Sequence, residues 1–323
     1  MSALAHPRFA YRKGLHDLGN GGWAWLQPDG SWGWSNAGLV VDAGATLLVD
    51  TLFDLRLTRE MLAAMRAAVP AAAHIDTLVN THSNGDHTYG NSIAGAGAIV
   101  ATRACADEMS RESPAVLARF QKQASALGEM GAYVLHCFGA FVFEGIEARL
   151  PTRTFEDRLD LTVGGKRVEL IQVGPAHTRG DCLVHVPADR TIFTGDILFI
   201  DGTPIVWAGP VQRWIDACDR ILALDVETIV PGHGPITTKR GVTAVRDYLS
   251  FVRAEARKRF DAGMPAHEAA LDIALGDYAA WGDAERIAVN VATLYREFAG
   301  DRAPADPVEL FGWMAEIWRA RRR

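Results

Sequence analysis

Thr81-His82-Ser83-Asn84-Gly85-Asp86-His87 closes an apolar run, Ile75 to Asn80, with two imidazoles, a carboxylate and an amide. Three later segments end in the same kinds of group: Gly174-Pro175-Ala176-His177, Phe193-Thr194-Gly195-Asp196 and Pro231-Gly232-His233-Gly234. Neutral imidazole and carboxylate are the usual side-chain ligands of a catalytic divalent metal. Each candidate follows an apolar stretch that ends in small or turn residues. That arrangement presents a side chain at a sheet edge, where pockets in α/β proteins lie. Singly, each segment has a plainer reading. A lone histidine is commonly structural, Asn-Gly-Asp is an ordinary turn, and Pro-Gly-His-Gly-Pro reads as a loop. Four such segments in one chain would be four independent accidents, so the joint reading is a metal site assembled from several strand ends.

Outward from that stretch the chain alternates strands and helices, which indicates an α/β fold. Gly38 to Val41 and Ala45 to Asp50 are short apolar runs separated by Asp42-Ala43-Gly44, a hairpin signature. Leu57, Met61, Leu62 and Met65 give the next segment a helical stripe, and Ala98 to Ala101 is another strand. Residues 103–149 change character, Ala-rich and helical and then aromatic at Phe138, Phe141 and Phe143; they read as a helical insert over one side of the site. Strands return at Leu159–Val163, Arg167–Val173, Cys182–Val186, Thr191–Thr194 and Glu227–Val230, with Gly164-Gly165 turning between the first two. Two sets of strands point to a two-sheet core. Beyond Pro235 the pattern is helical, with one stripe through Val242, Val245, Leu249, Val252 and Ala256 and another through Ile287, Val291, Leu294 and Phe298. Asp306-Pro307 supplies a cap and a first-turn proline for a last helix facing inward through Leu310, Met314 and Ile317.

Composition narrows the function. With 323 residues, 49% hydrophobic and 22% charged, the chain has ample material for a globular core. A net charge of -6 and a pI near 5.9 give nucleic acid no broad electrostatic invitation. Arg321-Arg322-Arg323 is the one basic run and reads as a solvated helix end. No run of about eighteen uncharged apolar residues is present, so no membrane span is expected, and Met1 to Lys13 lacks the pattern of a secretory signal. Cys105, Cys137, Cys182 and Cys218 are scattered without CxxC spacing and read as free thiols of a cytoplasmic protein.

The order HxHxDH with Asn at its third position, then His, then Thr-Gly-Asp, then Gly-His-Gly resembles the metallo-β-lactamase fold superfamily, particularly its glyoxalase II and lactonase-like hydrolases. The likeness covers about residues 35–237. It implies a four-layer αββα sandwich over residues 1–237 with the insert at 103–149, followed by a helical C-terminal extension over 238–323. The tail packs over the active-site edge or forms a homodimer contact. The resemblance also implies two metal positions. One takes His82, the residue at 84, His177 and a bridging Asp196; the other takes Asp86, His87, Asp196 and His233. Asn84 stands where the second histidine is expected. Its neutral amide oxygen is a poorer zinc ligand than imidazole, so one tight zinc is expected in the complete set and a weak or absent second ion beside His82 and His177.

The implied chemistry is attack of a metal-bound water on an ester, thioester or lactone carbonyl of a small-molecule substrate, with Asp86 fixing the metal and orienting the water. Tyr89, His136, Arg179 and Trp207 are the candidate substrate-binding side chains: Tyr89 as a donor to an oxyanion, Arg179 for an anionic group, Trp207 as a wall, His136 from the insert. Core packing is the plainer role of Phe138, Phe141 and Phe143. Other readings are a non-haem Fe2+ oxygenase resembling persulfide dioxygenases, built on His82, His177 and Asp196, β-lactam hydrolysis, and a non-catalytic metal-binding protein.

Overall fold

The computed structural model describes residues 2–301 and 305–322, which leaves Arg323 of the basic run outside the described residues. Its strands owe their two sheets to an alternation within runs that are apolar throughout. Leu39, Leu48, Leu78 and Ile99 belong to one buried cluster, and their neighbours Val40, Val49, Val79 and Val100 belong to another. The same division separates Leu183 from Val184, Ile192 from Phe193 and Ile229 from Val230. Successive side chains of a strand point to opposite faces, so a sheet covered on both sides needs apolar residues at every position. One cluster fills the space between the sheets and the other lies under the helices. Each such aliphatic side chain contributes roughly 1.5–3 kcal/mol by leaving water.

The first sheet contains seven strands in chain order: β1 (Gly14–Gly19), β2 (Gly22–Leu26), β3 (Ala37–Asp42), β4 (Ala45–Val49), β5 (Ile75–Val79), β6 (Ala96–Thr102) and β7 (Arg153–Phe155). It is antiparallel from β1 to β4 and parallel from β4 to β7. The hairpin read from Asp42-Ala43-Gly44 is present, with Asp42 opposite Ala45. The second sheet has the order β12 (Thr228–Val230), β11 (Thr191–Phe193), β10 (Cys182–Val186), β9 (Lys166–Gln172) and β8 (Arg158–Val163). A Cβ on Gly38 would lie 2.2 Å from the Phe193 ring, so the two sheets approach too closely there for any side chain.

Helix α1 (Leu55–Ala68) covers the first sheet through Leu57, Met61, Leu62 and Met65, and Asp54 caps it by accepting a hydrogen bond from the Leu57 N–H at 2.7 Å. Two one-turn helices follow β5, α2 (Gly85–Thr88) and α3 (Asn91–Ala94). The insert forms α4 (Arg103–Met109), α5 (Pro114–Gln123) and α6 (Gly128–Phe138). Helix therefore stops well short of residue 149: from Gly139 the chain leaves regular structure, and Phe141 and Phe143 turn inward onto Phe53, with ring centroids 4.9 and 4.8 Å away. On the second sheet α7 (Val211–Ala223) packs against α8 (Lys239–Asp261). Helices α9 (Ala266–Asp272), α10 (Ile287–Ala299) and α11 (Pro307–Ala320) complete the tail. α10 lies on α8, and α11 reaches across to α6 of the insert. Helices thus flank two stacked sheets in an αββα sandwich with a helical C-terminal region. Among the described residues, no helix is long and apolar enough to cross a membrane.

Candidate metal centre

Five strands deliver their C-terminal ends to one edge of the sandwich. Asp50 follows β4, His82 follows β5, His177 follows β9, Asp196 follows β11 and His233 follows β12, while α2 carries Asp86 and His87. All are buried. Gly232 is required for this convergence: a Cβ there would sit 2.0 Å from Asp196 Oδ1, so any side chain would displace the carboxylate.

Asp196 lies at the centre. Its Oδ1 is 3.0 Å from His87 Nε2, and its Oδ2 is 3.6, 3.4 and 3.4 Å from Nε2 of His82, His177 and His233. Asp86 Oδ2 lies 3.2 Å from His233 Nε2 and 3.9 Å from His87 Nε2. The donor atoms separate into two groups with mutual distances within 4.8 Å, His82/His177/Asp196 and Asp86/His87/His233. Asp196 borders both.

The histidine tautomers are set from behind. Nδ1 of His177 meets the Ile205 carbonyl at 2.7 Å, Nδ1 of His233 meets the Gly30 carbonyl at 3.0 Å, and Nδ1 of His87 meets Asp50 Oδ2 at 2.9 Å. These partners only accept, so each Nδ1 carries the proton and each Nε2 presents a lone pair to the centre. Thr81 Oγ1 spends its proton on Asp50 Oδ2 at 2.7 Å, which leaves it to accept from His82 Nδ1 at 3.0 Å. Four Nε2 lone pairs and two carboxylates therefore face one another with no donor among them. His82 Nε2, His87 Nε2 and Asp196 Oδ1 are buried without a hydrogen-bond partner. Polar atoms are rarely left so inside a protein, and divalent cations at the two donor groups would satisfy them. The residues present fit a metal.

Without a cation, protons take its place. Burial opposes charge on His87, yet Asp196, Asp86 and Asp50 hold it well above the ordinary histidine range; His233, also opposed by burial, is held at about 9 by Asp196 and Asp86. Burial would raise Asp196, but His233, His87 and His82 keep it well below the usual carboxylate range. His82 is pushed well below its ordinary value by burial and by His87, and burial lowers His177.

Asn84 points into the centre. It sits at the N-terminus of α2, where an asparagine ordinarily caps the helix, but its side chain makes no cap. Its Oδ1 atom lies 2.7 Å from His177 Nε2. With His177 Nδ1 donating to Ile205, two lone pairs would face each other. The contact is resolved by the amide turned so that its NH2 donates to Nε2.

A cavity of about 400 Å³ adjoins the centre, lined by Asn84, Asp86, His177, Asp196 and His233 on one side and by Trp32, Phe53, Phe138, Phe199, Trp207 and Phe311 on the other. Tyr89 lines it as well, its ring 5.7 Å from Phe53, and burial keeps the phenol protonated. Trp207 walls the cavity, and Arg179 lines a neighbouring groove that Trp207 shares. His136 does not belong to the site: it is exposed on α6 and stacks on Trp318 at 5.0 Å, because the helix turns that position away from the cavity. Phe138 faces the cavity, whereas Phe141 and Phe143 are core.

Several contributors escaped the sequence reading. Asp50 accepts from the Thr81 N–H, the Thr81 hydroxyl and His87 Nδ1, and so orients two neighbouring candidate ligands at once. Phe199 stacks on His233 with centroids 5.0 Å apart and planes at 8°. Arg286, buried, lies over Trp32 and Phe199 and pairs with Asp283 at 3.0 Å. Glu112 lines the cavity with its carboxyl pushed up to about 8 by desolvation and by the charges of Glu108 and Asp86.

The chain belongs to the metallo-beta-lactamase superfamily, whose family model matches residues 30–233. It is 28% identical over 196 residues to the 2,4-dinitroanisole O-demethylase subunit alpha of a Nocardioides strain, covering 58% of this chain and 48% of that protein. It is 27% identical over 94 residues to an acyl-coenzyme A thioesterase of Bos taurus, covering 27% of this chain and 33% of that one. The chain thus spans half or less of the length of these curated relatives. Among solved structures, the sec-alkylsulfatase Pisa1 from Pseudomonas sp. superposes with a TM-score of 0.66 at 16% identity, over 92% of this chain and 52% of that one, a likeness of fold.

Proposed function

We propose that this chain is a metal-dependent hydrolase that adds water to an ester, thioester or lactone carbonyl of a substrate with an apolar acyl or aryl arm. One observation carries the reading: a centre made only of acceptors opens directly onto a cavity walled by aromatic rings. Imidazole and carboxylate donors without sulfur suit zinc. A bound divalent ion supplies a water whose pKa falls to about 7 and polarises the carbonyl.

The remaining steps belong to the chain. Asp86, His87, Asp196 and His233 would hold a metal at one position with a full set of donors, which would make it the tighter of the two. At the other, Asn84 lies against His177 in place of a strong ligand. Asp86 orients the attacking water. Tyr89, a protonated phenol with no protein partner for its hydroxyl among the described residues, donates to the carbonyl oxygen as it gains charge. Glu112, exposed at the cavity wall with its carboxyl pushed up toward about 8, stands where it can pass a proton to the departing oxygen or sulfur. The aromatic walls exclude water from the acyl arm. All four cysteines are buried and unpaired, which supports a reducing compartment such as the cytoplasm.

The test is a panel of esters, thioesters and lactones, assayed with chelator-stripped and zinc-reloaded protein. The reading expects turnover that disappears on stripping and returns with zinc. Turnover indifferent to the chelator, or none on the whole panel, would sink it. The trio His82/His177/Asp196 favours a second reading, a non-haem iron oxygenase. Iron in the purified protein and sulfur-dependent oxygen uptake would establish that reading instead.

A further inference from the structure

The segment from Thr203 to Val206 is buried yet has no regular secondary structure. The backbone groups of such a segment must find partners elsewhere, and here one helix supplies them. Arg286, Asn290, Thr293 and Glu297 recur every three or four residues, so they form one polar stripe along α10 and the turn that opens it. The Arg286 guanidinium donates to the Thr203 carbonyl at 3.0 Å. Asn290 donates to the Pro204 carbonyl and accepts from the Val206 N–H, both at 2.8 Å. Thr293 donates to the Val206 carbonyl and Glu297 accepts from the Val211 N–H, again at 2.8 Å. The stripe thus anchors a strap running from Thr203 to Val211. Between the anchors, the Ile205 carbonyl is left for His177 Nδ1, at 2.7 Å. The strap also meets the backbone of that histidine, since the Trp207 and Ala208 N–H groups both donate to the His177 carbonyl at 3.1 Å.

We infer that Asn290 is a positioning residue for the candidate metal centre: through the strap it fixes which nitrogen of His177 faces the centre. Asn84 does not make that choice, because an amide can meet Nε2 with its NH2 or, turned over, with its oxygen. The Ile205 carbonyl only accepts, so it requires the proton on Nδ1 and leaves Nε2 with a lone pair. Its place is set by the residues on either side of it, Pro204 and Val206, and Asn290 holds both. The support comes from the tail, since α10 lies beyond residues 30–233 of the family match. It goes beyond the hydrolase reading and is independent of it: His177 belongs to the same donor group in the hydrolase and in the oxygenase.

Long-range 1H–15N NMR of the metal-free full chain at about pH 8, where an ordinary imidazole is neutral, reads which ring nitrogens carry protons. The His177 signals are assigned as those missing from His177→Gln. Wild-type His177 is expected to carry its proton on Nδ1, a preference of roughly fivefold or more from one hydrogen bond. In Asn290→Leu that preference should fall toward an even mixture of tautomers, while the signals of His87 and His233, which rest on Asp50 and Gly30, stay where they are. Thr293→Val removes only the partner of the Val206 carbonyl and should give a smaller change in the same direction; it carries the test if Asn290→Leu does not fold. Tyr248→Phe is the control for a merely structural role. It takes away the remaining partner of Asn290, at 3.0 Å, without touching the strap, so it should lower the melting temperature and leave His177 unchanged. A wild-type His177 protonated at Nε2, an unchanged His177 in folded variants of the stripe, or the same change in Tyr248→Phe would overturn the inference. The hydrolase reading fails separately: no turnover on the ester panel would remove it and leave the tautomer result standing.

Discussion

Asp50→Asn is the most informative single substitution. The carboxylate accepts three hydrogen bonds: from the Thr81 N–H at 2.7 Å on Oδ1, and from the Thr81 hydroxyl at 2.7 Å and His87 Nδ1 at 2.9 Å on Oδ2. An asparagine keeps one oxygen and turns an NH2 group toward either one donor or two. If it replaces Oδ2, His87 must move its proton to Nε2 to avoid facing another donor, and its lone pair leaves the centre. Losing the partner that orients a metal-binding histidine costs roughly 10–100-fold in affinity, or about 1.4–2.8 kcal/mol. The upper end is expected here, since Thr81, which orients His82, loses its partner together with His87. A buried mismatched donor costs about 1–3 kcal/mol in the metal-free fold as well. The assay is competitive zinc titration against a chromophoric chelator, with circular dichroism and thermal unfolding of the metal-free protein alongside. Weaker zinc binding with native secondary structure and a melting temperature lowered by a few degrees is the expected result. A folded Asp50→Asn protein with wild-type zinc affinity would refute the tautomer argument.

Four further outcomes follow from the same geometry. Asn84→His should convert the His82/His177 position into a three-imidazole site, visible as a second zinc equivalent in elemental analysis; unchanged stoichiometry would mean that position 84 does not ligate. Asp196→Ala should abolish zinc retention and turnover together, because that carboxylate approaches all four histidines, and an active, zinc-loaded variant would refute its proposed part in holding metal. His233, held at about 9 in the metal-free centre, binds a proton at pH 7.5 that a cation must displace. Zinc titration calorimetry in buffers of different ionisation enthalpy should therefore show proton release, and heats independent of buffer would contradict it. The linkage sign also follows: a folded-state pKa above the unfolded value stabilises the metal-free protein below about pH 6.5 in full. That contribution fades as pH rises through about 9, which thermal unfolding of stripped protein across pH 6–10 would reveal.

The candidate ligands were legible because each stands just past an apolar run, and a strand that is buried on both faces is visible in sequence. What supports them was not. Asp50 becomes meaningful only when β4 and β5 lie side by side in parallel, a pairing no local pattern reports. The carbonyls of Gly30 and Ile205 orient His233 and His177 through backbone atoms that carry no residue signature. Phe311 and Arg286 reach the cavity from the tail, far along the chain from the motif they serve. β1 went unread because Gly14, Gly19 and the polar His16 and Asp17 dilute its apolar run, and β2, although apolar over Trp23 to Leu26, is only five residues long. His136 was misplaced for a related reason: nearness to a cavity in sequence says nothing about which way a helix turns. Asn84 was recognised as unusual from its place in the motif, but its aim at His177 required the turn into α2.

Elemental analysis of the full chain, purified without chelator and then soaked in zinc and dialysed, tests the central claim most directly. The account expects close to one tightly held zinc per chain, retained through dialysis. Protein that holds no metal after soaking, with its fold intact, would contradict it.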